Sequence, residues 1–369
     1  MRVVVGMIGM IAACGLAIGC GSGNGGGGGA GGGGGGGTGG SGGGTGGAGG
    51  GGAGGAGGAG GGGAFDFPSS SVIYQDISTA MPDSESASVM GALQTSGWGD
   101  NGAKLRIDVS FAVLHADASV TPRPFMSGTT DVDCDTAPIP VPPGGRIEGA
   151  SDYDCSGGDC HLLVYQGMRL YELYQARITG GMATGGTFSG SCLVVWDLTK
   201  DYWANPATVG PGFSRGDGCN GADAADLPMA ALILKTEEIQ AGVVNHALRF
   251  TIPNDRIRAD VYVHPATHLG GPTGGATTMP YGARLRLKAS FDESTLPSDA
   301  ARVVARALKK YGMFMADGGN PYVSATDDID SVIAPTAIGA MQPMDFEMLD
   351  GGTRVNFHQQ SCTRTPITQ

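Results

Sequence analysis

Positive charge is scarce in this sequence. The chain has 369 residues, with 22 Lys and Arg against 34 Asp and Glu, and a formal net charge of −12 at pH 7. Because an acidic surface repels phosphate, this composition argues against nonspecific binding to nucleic acid. The sequence also lacks an H-E-x-x-H motif and a G-x-x-x-x-G-K-[ST] loop. It therefore gives no sign of a zinc protease of that type or of a P-loop nucleotide site.

Glycine is abundant in one place. Of the 70 glycines, 33 fall between residues 21 and 64, where the other residues are only Ala, Ser, Thr and Asn. The tract has neither the proline nor the three-residue period of collagen. Nothing in it offsets the entropy lost on ordering a chain. We therefore expect residues 21–64 to be a disordered tether.

The first 20 residues have the features of a targeting segment. Arg2 is their single charge, and an apolar stretch too short to span a bilayer leads to Leu16-Ala17-Ile18-Gly19-Cys20. This ending resembles the lipobox of bacterial lipoproteins, in which the cysteine is acylated. We expect residues 1–20 to be a lipoprotein signal peptide and Cys20 to be lipidated; Cys14 and an ordinary secretory signal are the alternatives. The expected location is the bacterial cell envelope, lipid-anchored at the outer membrane or cell surface.

Six further cysteines follow the tether, and an even number in an exported protein predicts disulfides. They are Cys134, Cys155, Cys160, Cys192, Cys219 and Cys362. Cys155 and Cys160 bracket a tight turn and are expected to pair. Cys192 with Cys219 and Cys134 with Cys362 is then the expected remainder, with other pairings left open by the spacing. A zinc site is the weaker alternative, because the sequence has no C-x-x-C pair.

Residues 65–369 are expected to form a single β-rich extracytoplasmic domain. Residues 104–114 alternate apolar and polar side chains, as a half-buried strand does. Further strands are predicted at 161–165, 169–174, 192–197, 247–252, 260–264, 283–291 and 312–316. Helices are predicted at 84–95 and 298–311, the second capped by Ser298. This pattern favours a mainly β fold, a β-sandwich or jelly-roll-like domain with one or two accessory helices. A domain boundary near residue 145 is the alternative.

Several phrases of this domain occur in a familiar order. Residues 170–174 read LYELY, 222–228 ADAADLP, 246–253 HALRFTIP, 283–292 ARLRLKASFD and 307–313 ALKKYGM. On these phrases the chain resembles a family of secreted bacterial β-rich proteins of no established activity. The resemblance implies export and one β-rich domain, and it assigns no catalytic residue. The chain departs from the family pattern at 153–160 and at 219–221, and both departures involve cysteines.

Two carboxylates inside these phrases are candidates for acid–base chemistry. Glu172 lies in a predicted strand and Asp223 in a small-residue turn, and such a pair can act on a glycosidic bond. His161 or His246 would assist. The alternatives are that Glu172 pairs with an arginine on the outer face, that Asp223 caps a helical turn, and that His246 is a satisfied core histidine.

A cationic strip is the candidate for substrate binding. Arg284, Arg286 and Lys288 alternate with apolar residues, so they share one face of the predicted strand. Such a strip suits a polysaccharide that carries carboxylates or sulfates. The alternative is pairing with acids across strands. Rings for sugar stacking are offered by Tyr171, Tyr174, Trp196, Trp203 and Tyr262.

Metal binding has only weak support. Asp152 and Asp154 begin a calcium-like loop, but Leu163 stands where an EF-hand has its closing Glu. The acids at 131, 133 and 135 alternate without the glycine of such a loop, and His264 with His268 leaves a metal site open. No other cofactor is expected.

The sequence as a whole predicts a surface lipoprotein whose β-rich domain binds or cleaves an extracellular polysaccharide. As an enzyme it would be a glycoside hydrolase or a polysaccharide lyase. The alternative is a non-catalytic adhesion or envelope structural protein. The expected partners are a polysaccharide and, through the lipid anchor, a membrane, but not nucleic acid.

Overall fold

The computed structural model describes residues 66–129, 132–155, 158–179, 186–203 and 215–369. The predicted signal segment with Cys14 and Cys20, the glycine tract, Asp131 and Ser156 lie outside these residues. The described residues belong to one compact unit, Gly61–Gln369. Within them, no helix combines the length and the apolar character needed to cross a membrane.

The described part is mainly β, and the predicted sandwich-like class is confirmed. It has sixteen strands in four mixed sheets. The strands are β1 (Arg106–Phe111), β2 (Val113–His115), β3 (Met126–Ser127), β4 (His161–Gln166), β5 (Arg169–Tyr174), β6 (Arg177–Ile178), β7 (Phe188–Gly190), β8 (Leu193–Asp197), β9 (Leu248–Ile252), β10 (Ile257–Tyr262), β11 (Met279–Tyr281), β12 (Arg284–Leu287), β13 (Met313–Gly318), β14 (Tyr322–Thr326), β15 (Phe346–Met348) and β16 (Val355–Asn356).

Four α-helices accompany these strands in the described residues. They are α1 (Ser86–Ser96), α2 (Met229–Leu232), α3 (Thr236–Ala241) and α4 (Asp299–Lys310). The predicted cap of α4 is present, because Ala301 N donates to Ser298 Oγ over 3.1 Å. The short helices α2 and α3 were not predicted, since neither is long enough to show a helical period.

The largest sheet has six strands in the order β1-β14-β9-β13-β12-β15. β1 runs parallel to β14 and β9 parallel to β13, while the other neighbours are antiparallel. Leu248 and Phe250 are fully buried in the main core. Because side chains alternate along a strand, Arg249 and Thr251 project from the opposite, polar face. This polar face carries the candidate site.

The four-stranded sheet, β2-β4-β5-β8, is buried on both faces. Leu163 and Trp196 belong to the main core, whereas Leu162 and Val195 belong to a second, smaller core. Two three-stranded sheets complete the set, β11-β10-β16 and β3-β7-β6. Glu172 alternates with residues of the second core and therefore points into the main core.

The strand predicted at 104–114 divides at Ala112 and serves two sheets. β1 joins the six-stranded sheet, and β2 pairs with β4 in the four-stranded sheet. The Phe111 ring consequently lies 6.2 Å from the imidazole of His161, centroid to centroid. This link brings the start of β4 to the polar face of the large sheet.

The described residues contain three disulfides, and two of them differ from the expected pairing. Cys155–Cys160 is confirmed, but the other bonds are Cys134–Cys192 and Cys219–Cys362. Asp135 N donates to Leu193 O over 2.7 Å, which places Cys134 beside Cys192. The last residues of the chain return to the same region, where Ile367 N donates to Asp135 Oδ1. The spacing of the cysteines along the sequence does not reveal that residue 134 lies beside residue 192, or that the end of the chain returns to this region.

Candidate functional site

Five polar side chains gather where the polar face of the six-stranded sheet meets β4. We call Glu148, His161, Asp223, Arg249 and Asp317 the Arg249 cluster. The Arg249 guanidinium is 3% exposed and donates to Asp223 Oδ1 over 2.7 Å. Its Nη2 also lies 3.9 Å from Asp317 Oδ2. A buried guanidinium is tolerated only when paired, so these carboxylates hold Arg249 in place.

Asp223 is buried, and its carboxylate stabilises the turn that precedes α2. Its side chain has no exposed surface. Its Oδ2 accepts from the backbone nitrogens of Ala225 and Leu227, at 3.2 and 3.3 Å. The alternative that Asp223 caps a turn is therefore confirmed. A polymer cannot reach this carboxylate, so the expected catalytic role is not available to Asp223.

His161 is held between two acceptors. Its Nδ1 lies 2.5 Å from Glu148 Oε2, and its Nε2 lies 2.9 Å from Ala222 O. Since both ring nitrogens face acceptors, the doubly protonated imidazolium is favoured. Burial by itself lowers the pKa of His161, but the charge and hydrogen bond of Glu148 outweigh burial and raise it to about 8. The cluster therefore holds this histidine as a cation at neutral pH.

Glu148 carries the negative charge that balances the His161 cation. Burial alone would raise its pKa, yet the charge and hydrogen bond of His161 leave the pKa of Glu148 below its ordinary value. Ser110 Oγ donates to the other carboxylate oxygen over 3.1 Å. The pair is thus an internal ion pair at the seam between the sheets.

Asp317 is the most exposed member of the cluster. A third of its side chain, 33%, is accessible, compared with 16% for Glu148. Burial of the carboxyl and the negative charge of Asp223 raise the pKa of Asp317 to about 7, although Arg249 opposes the shift. Near neutral pH this carboxyl therefore exists in both protonation states. It combines access to solvent with a proton to donate.

Glu172 lies in the interior rather than on an outer face. Its side chain is fully buried, Trp196 Nε1 donates to Oε2 and Ala230 N donates to Oε1, both over 2.9 Å. Burial raises the pKa of Glu172 to about 7. The alternative, an arginine partner on the outer face, is wrong, because the partners are Trp196 and Ala230. The expected catalytic role is not available either, because the carboxyl is fully buried.

His246 is a core histidine, as the alternative held. It is 5% exposed, its Nε2 lies 2.9 Å from Glu238 Oε1, and its Nδ1 lies 2.7 Å from Ala247 O. Its acceptors belong to α3 and to the residue before β9, rather than to the Arg249 cluster. His246 therefore stabilises the fold and does not assist His161.

The expected cationic strip is not on the surface. Arg284 and Arg286 are buried, at 7% and 8% exposure. Arg286 Nε donates to Glu347 Oε1 over 2.9 Å, and the two residues are register partners on β12 and β15. This pair confirms the cross-strand alternative. Lys288, at the edge, donates to Met344 O over 2.7 Å.

Arg284 anchors the beginning of the described chain. Its guanidinium donates to three backbone carbonyls, which belong to Val72, Gln75 and Tyr311. Burial lowers the pKa of Arg284 to about 9. The segment around residues 72–77 thus covers the face that the sequence pattern left open, and the strip prediction fails for this reason.

Most of the expected sugar-stacking rings are core residues. Tyr171, Trp196, Trp203 and Tyr262 are buried. Tyr174 is half-buried, and its ring lies 5.1 Å from the imidazole of His161. The half-buried Tyr322 on β14 was not singled out from the sequence.

Two described acids of the calcium-like loops, Asp154 and Asp135, have arginine partners. Asp154 Oδ1 lies 2.7 Å from Arg177 Nε. Asp135 is buried and paired with Arg364 at 2.5 Å. One group in the described residues has ligand atoms close enough for a metal ion: Asp133, Cys219 and Cys362. The two cysteines form a disulfide, so they offer no thiolate.

His264 has a carboxylate partner rather than a metal-site geometry. Its Nε2 lies 2.8 Å from Asp217 Oδ1, and Tyr262 Oη donates to the same oxygen over 2.7 Å. These contacts lower the pKa of Asp217 even though burial opposes the change. His268 instead faces Ala224 O at 3.0 Å.

Residues 212–216 read GFSRG, which matches the G-x-S-x-G form of a nucleophile elbow. Its Ser214 lies outside the described residues. Arg215 is buried and pairs with Asp226 at 2.7 Å. The next described helix begins at Met229. A nucleophile elbow needs a helix directly after the serine, so the described residues do not supply that context.

Arg249, Asp317 and Glu148 are the cluster residues that sequence reasoning did not single out. Arg249 did carry a signal, because it alone is charged in the buried stretch HALRF. Among family models, curated proteins and solved structures, none matches this chain. The family resemblance of the sequence phrases stays a prediction.

Proposed function

We propose that this chain is an extracytoplasmic lipoprotein of the bacterial envelope whose β-rich domain binds an extracellular polysaccharide and cleaves it at the polar face of the six-stranded sheet. The observation that carries the proposal is Asp317. Its carboxyl is a third exposed, has a pKa of about 7 and lies beside the buried ion pair of Arg249 and Asp223. A carboxyl of this kind suits proton transfer near neutral pH.

The surrounding charges support this role of Asp317. Arg249 and His161 are cations, and Asp223 and Glu148 balance them inside the protein. While Asp317 is protonated these four charges cancel, and once its proton is delivered to a glycosidic oxygen the carboxylate that remains lies 3.9 Å from Arg249 Nη2. In its ionised form it can instead abstract a proton, as a lyase requires.

A second carboxyl lies on the same face of the sheet, on the edge strand β1, three strands from β13. Asp108 is half-buried, and its register partner Ser324 accepts from Arg249 Nη1 over 2.8 Å. Burial raises the pKa of Asp108, and the charge of Glu148 adds to that shift. Asp317 therefore replaces Asp223 and Glu172 as the acid–base candidate, while Asp108, about 14 Å away across the sheet, is too distant to act on the same glycosidic bond.

The second candidate function is that of a non-catalytic envelope protein. The observation that favours it is the internal use of charge: Glu172, Asp223 and Arg215 are all buried and bonded within the fold. Buried charge networks of this kind stabilise a domain, and they occur in proteins that have no catalytic activity. Under this alternative Asp317 is a surface acid that no ligand uses.

The test compares the full chain with its Asp317→Asn variant, using Asp330→Asn, a change of an exposed carboxyl, as the control. Each protein is incubated with neutral and acidic polysaccharides, and bound polymer and new ends are measured. New reducing ends indicate a hydrolase, and unsaturated ends a lyase. We expect Asp317→Asn to lose release of ends while the control retains it. A panel on which nothing is bound or cleaved contradicts the proposal and favours the envelope protein.

A further inference from the structure

Lys104 and Arg106 stand apart from the other cations of this acidic protein. Both are exposed, and neither side chain has a hydrogen-bond or ion-pair partner in the described residues. Every other lysine and arginine there reaches a carboxylate, a carbonyl or an aromatic ring. Acids outnumber bases in the chain, so two neighbouring cations left unpaired are available to a ligand.

The two side chains line one cleft beside the edge strand β1. The cleft has a volume of about 470 Å³, and Pro297, Ala337 and Gly339 provide small, largely apolar walls. No carboxylate is among its lining residues. The wall is fixed to the sheet, because Ile107 N donates to Pro335 O over 2.9 Å. A cleft with two free cations and an apolar floor suits a carboxylate group carried by a larger ligand.

Arg106 is also the first residue of a row that crosses the sheet to Asp317. Arg106 is the register partner of Tyr322, Tyr322 of Thr251, and Thr251 of Asp317. Register partners project from the same face of a sheet. Adjacent strands are about 4.8 Å apart, so the row spans roughly 14 Å.

The whole row is open to solvent to some degree. Arg106 is exposed, while Tyr322, Thr251 and Asp317 are half-buried. The residues of the next row inward, Ser324 and Arg249, are buried. The row is therefore an accessible border of the polar face, with cations at one end and the titrating carboxyl at the other.

We propose that the Lys104–Arg106 cleft is the anion subsite for a polysaccharide that bears uronate carboxylates, and that the polymer follows the row past Tyr322 to Asp317. This inference rests on the proposed function and names its substrate class. A guanidinium binds a carboxylate through two parallel hydrogen bonds, and Lys104 adds a second positive charge. A neutral polymer would leave both cations unpaired, so the acidic polymer binds more tightly.

The experiment measures binding of the full chain to polygalacturonate and to a neutral galactan of matched length. We expect the acidic polymer to bind at least about tenfold more tightly, because charge-assisted hydrogen bonds are lost with the neutral one. The preference shrinks as salt screens the charges. Lys104→Gln/Arg106→Gln is expected to abolish it.

The matched control is Lys200→Gln/Arg306→Gln. It removes two exposed cations that form loose ion pairs, at 3.8 Å with Asp197 and 3.7 Å with Glu293. The control is expected to keep the preference. Equal losses in the control would show a general charge effect and would overturn the subsite.

The remaining outcomes separate this inference from the function on which it rests. Equal binding of both galactose-type polymers overturns the subsite but leaves the proposed function standing. Polyglutamate that binds as tightly, with the same dependence on Lys104 and Arg106, overturns the assignment to a polysaccharide. A sulfated galactan that binds more tightly than the uronate polymer overturns the assignment to carboxylate. Binding of no polysaccharide overturns both proposals.

Discussion

The indole Nε1 of Trp196 donates a hydrogen bond to Oε2 of Glu172 over 2.9 Å. The two residues lie on neighbouring strands, β8 and β5, and both point into the main core. The contact explains why a carboxyl inside a recognisable sequence phrase has no access to substrate. It also makes Glu172 a determinant of how the stability of the fold depends on pH.

Glu172→Gln is expected to flatten the pH dependence of stability between pH 5 and pH 8. Burial raises the pKa of Glu172 to about 7 in the folded state. As pH rises from about 4.3, the unfolded carboxyl ionises first, so stability falls until the folded carboxyl ionises too, by on the order of 3 kcal/mol. Glutamine cannot ionise and escapes this loss. Urea unfolding at several pH values measures it, and parallel curves for both proteins would refute the argument.

Glu148→Gln is expected to lower the pKa of His161, which is about 8 in the unmodified chain. With the partner charge removed, burial dominates and favours the neutral ring. The His161–Glu148 pair stabilises the fold fully below the unfolded pKa of about 6.5, and this stabilisation is lost as pH rises through about 8. Titration of the histidine ring resonances by NMR measures the shift. An unchanged His161 titration would show that Glu148 does not set its charge.

Arg249→Met is expected to destabilise the fold strongly, by about 3 to 5 kcal/mol, because it leaves Asp223 buried without its partner. The double variant Arg249→Met/Asp223→Asn removes both charges and is expected to be less destabilised than Arg249→Met alone. Chemical denaturation of the two variants provides the comparison. A double variant that is the less stable of the two would contradict this account of the pair.

Removal of Cys219–Cys362 is expected to cost more stability than removal of Cys155–Cys160. The two bonds close sequence separations of 143 and 5 residues. In the chain-entropy model such loops contribute about 5 and about 2 kcal/mol. Thermal unfolding of the two double-alanine variants tests the ranking, with the 155–160 variant as the control. Peptide mapping of the unreduced chain checks the pairing, and a Cys192–Cys219 peptide would contradict the structure.

Local pattern was enough to predict the elements with strong signals. β5 has the predicted bounds of residues 169–174, and Ser298 caps α4 as expected. β14 was missed, although it separates β1 from β9 and completes the row from Arg106 to Asp317. Register between strands far apart in sequence leaves no trace in local alternation. The site therefore depends on the pairing of strands that are distant in the sequence, which local sequence patterns do not show.

The alternation at β12 predicts its apolar face correctly, but the predicted cationic binding strip is wrong. Leu285 and Leu287 are buried, as the pattern indicates, but the other face carries Arg284 and Arg286 and is buried as well. What covers a face is decided by distant segments, here the one around residues 72–77. For the same reason the free cations lie at Lys104 and Arg106, which no segment of the described residues covers.

The most direct measurement of the central claim is the release of new ends from polygalacturonate by the full chain across pH 5 to 9. We predict that the rate at which new ends are released changes with pH around pH 7, the pKa of Asp317. The Asp317→Asn variant is expected to lose this activity, and the Asp330→Asn variant is expected to behave as the unmodified chain. Release that is unchanged in Asp317→Asn, or a chain that neither binds nor cleaves the polymer at any pH, would contradict the central claim.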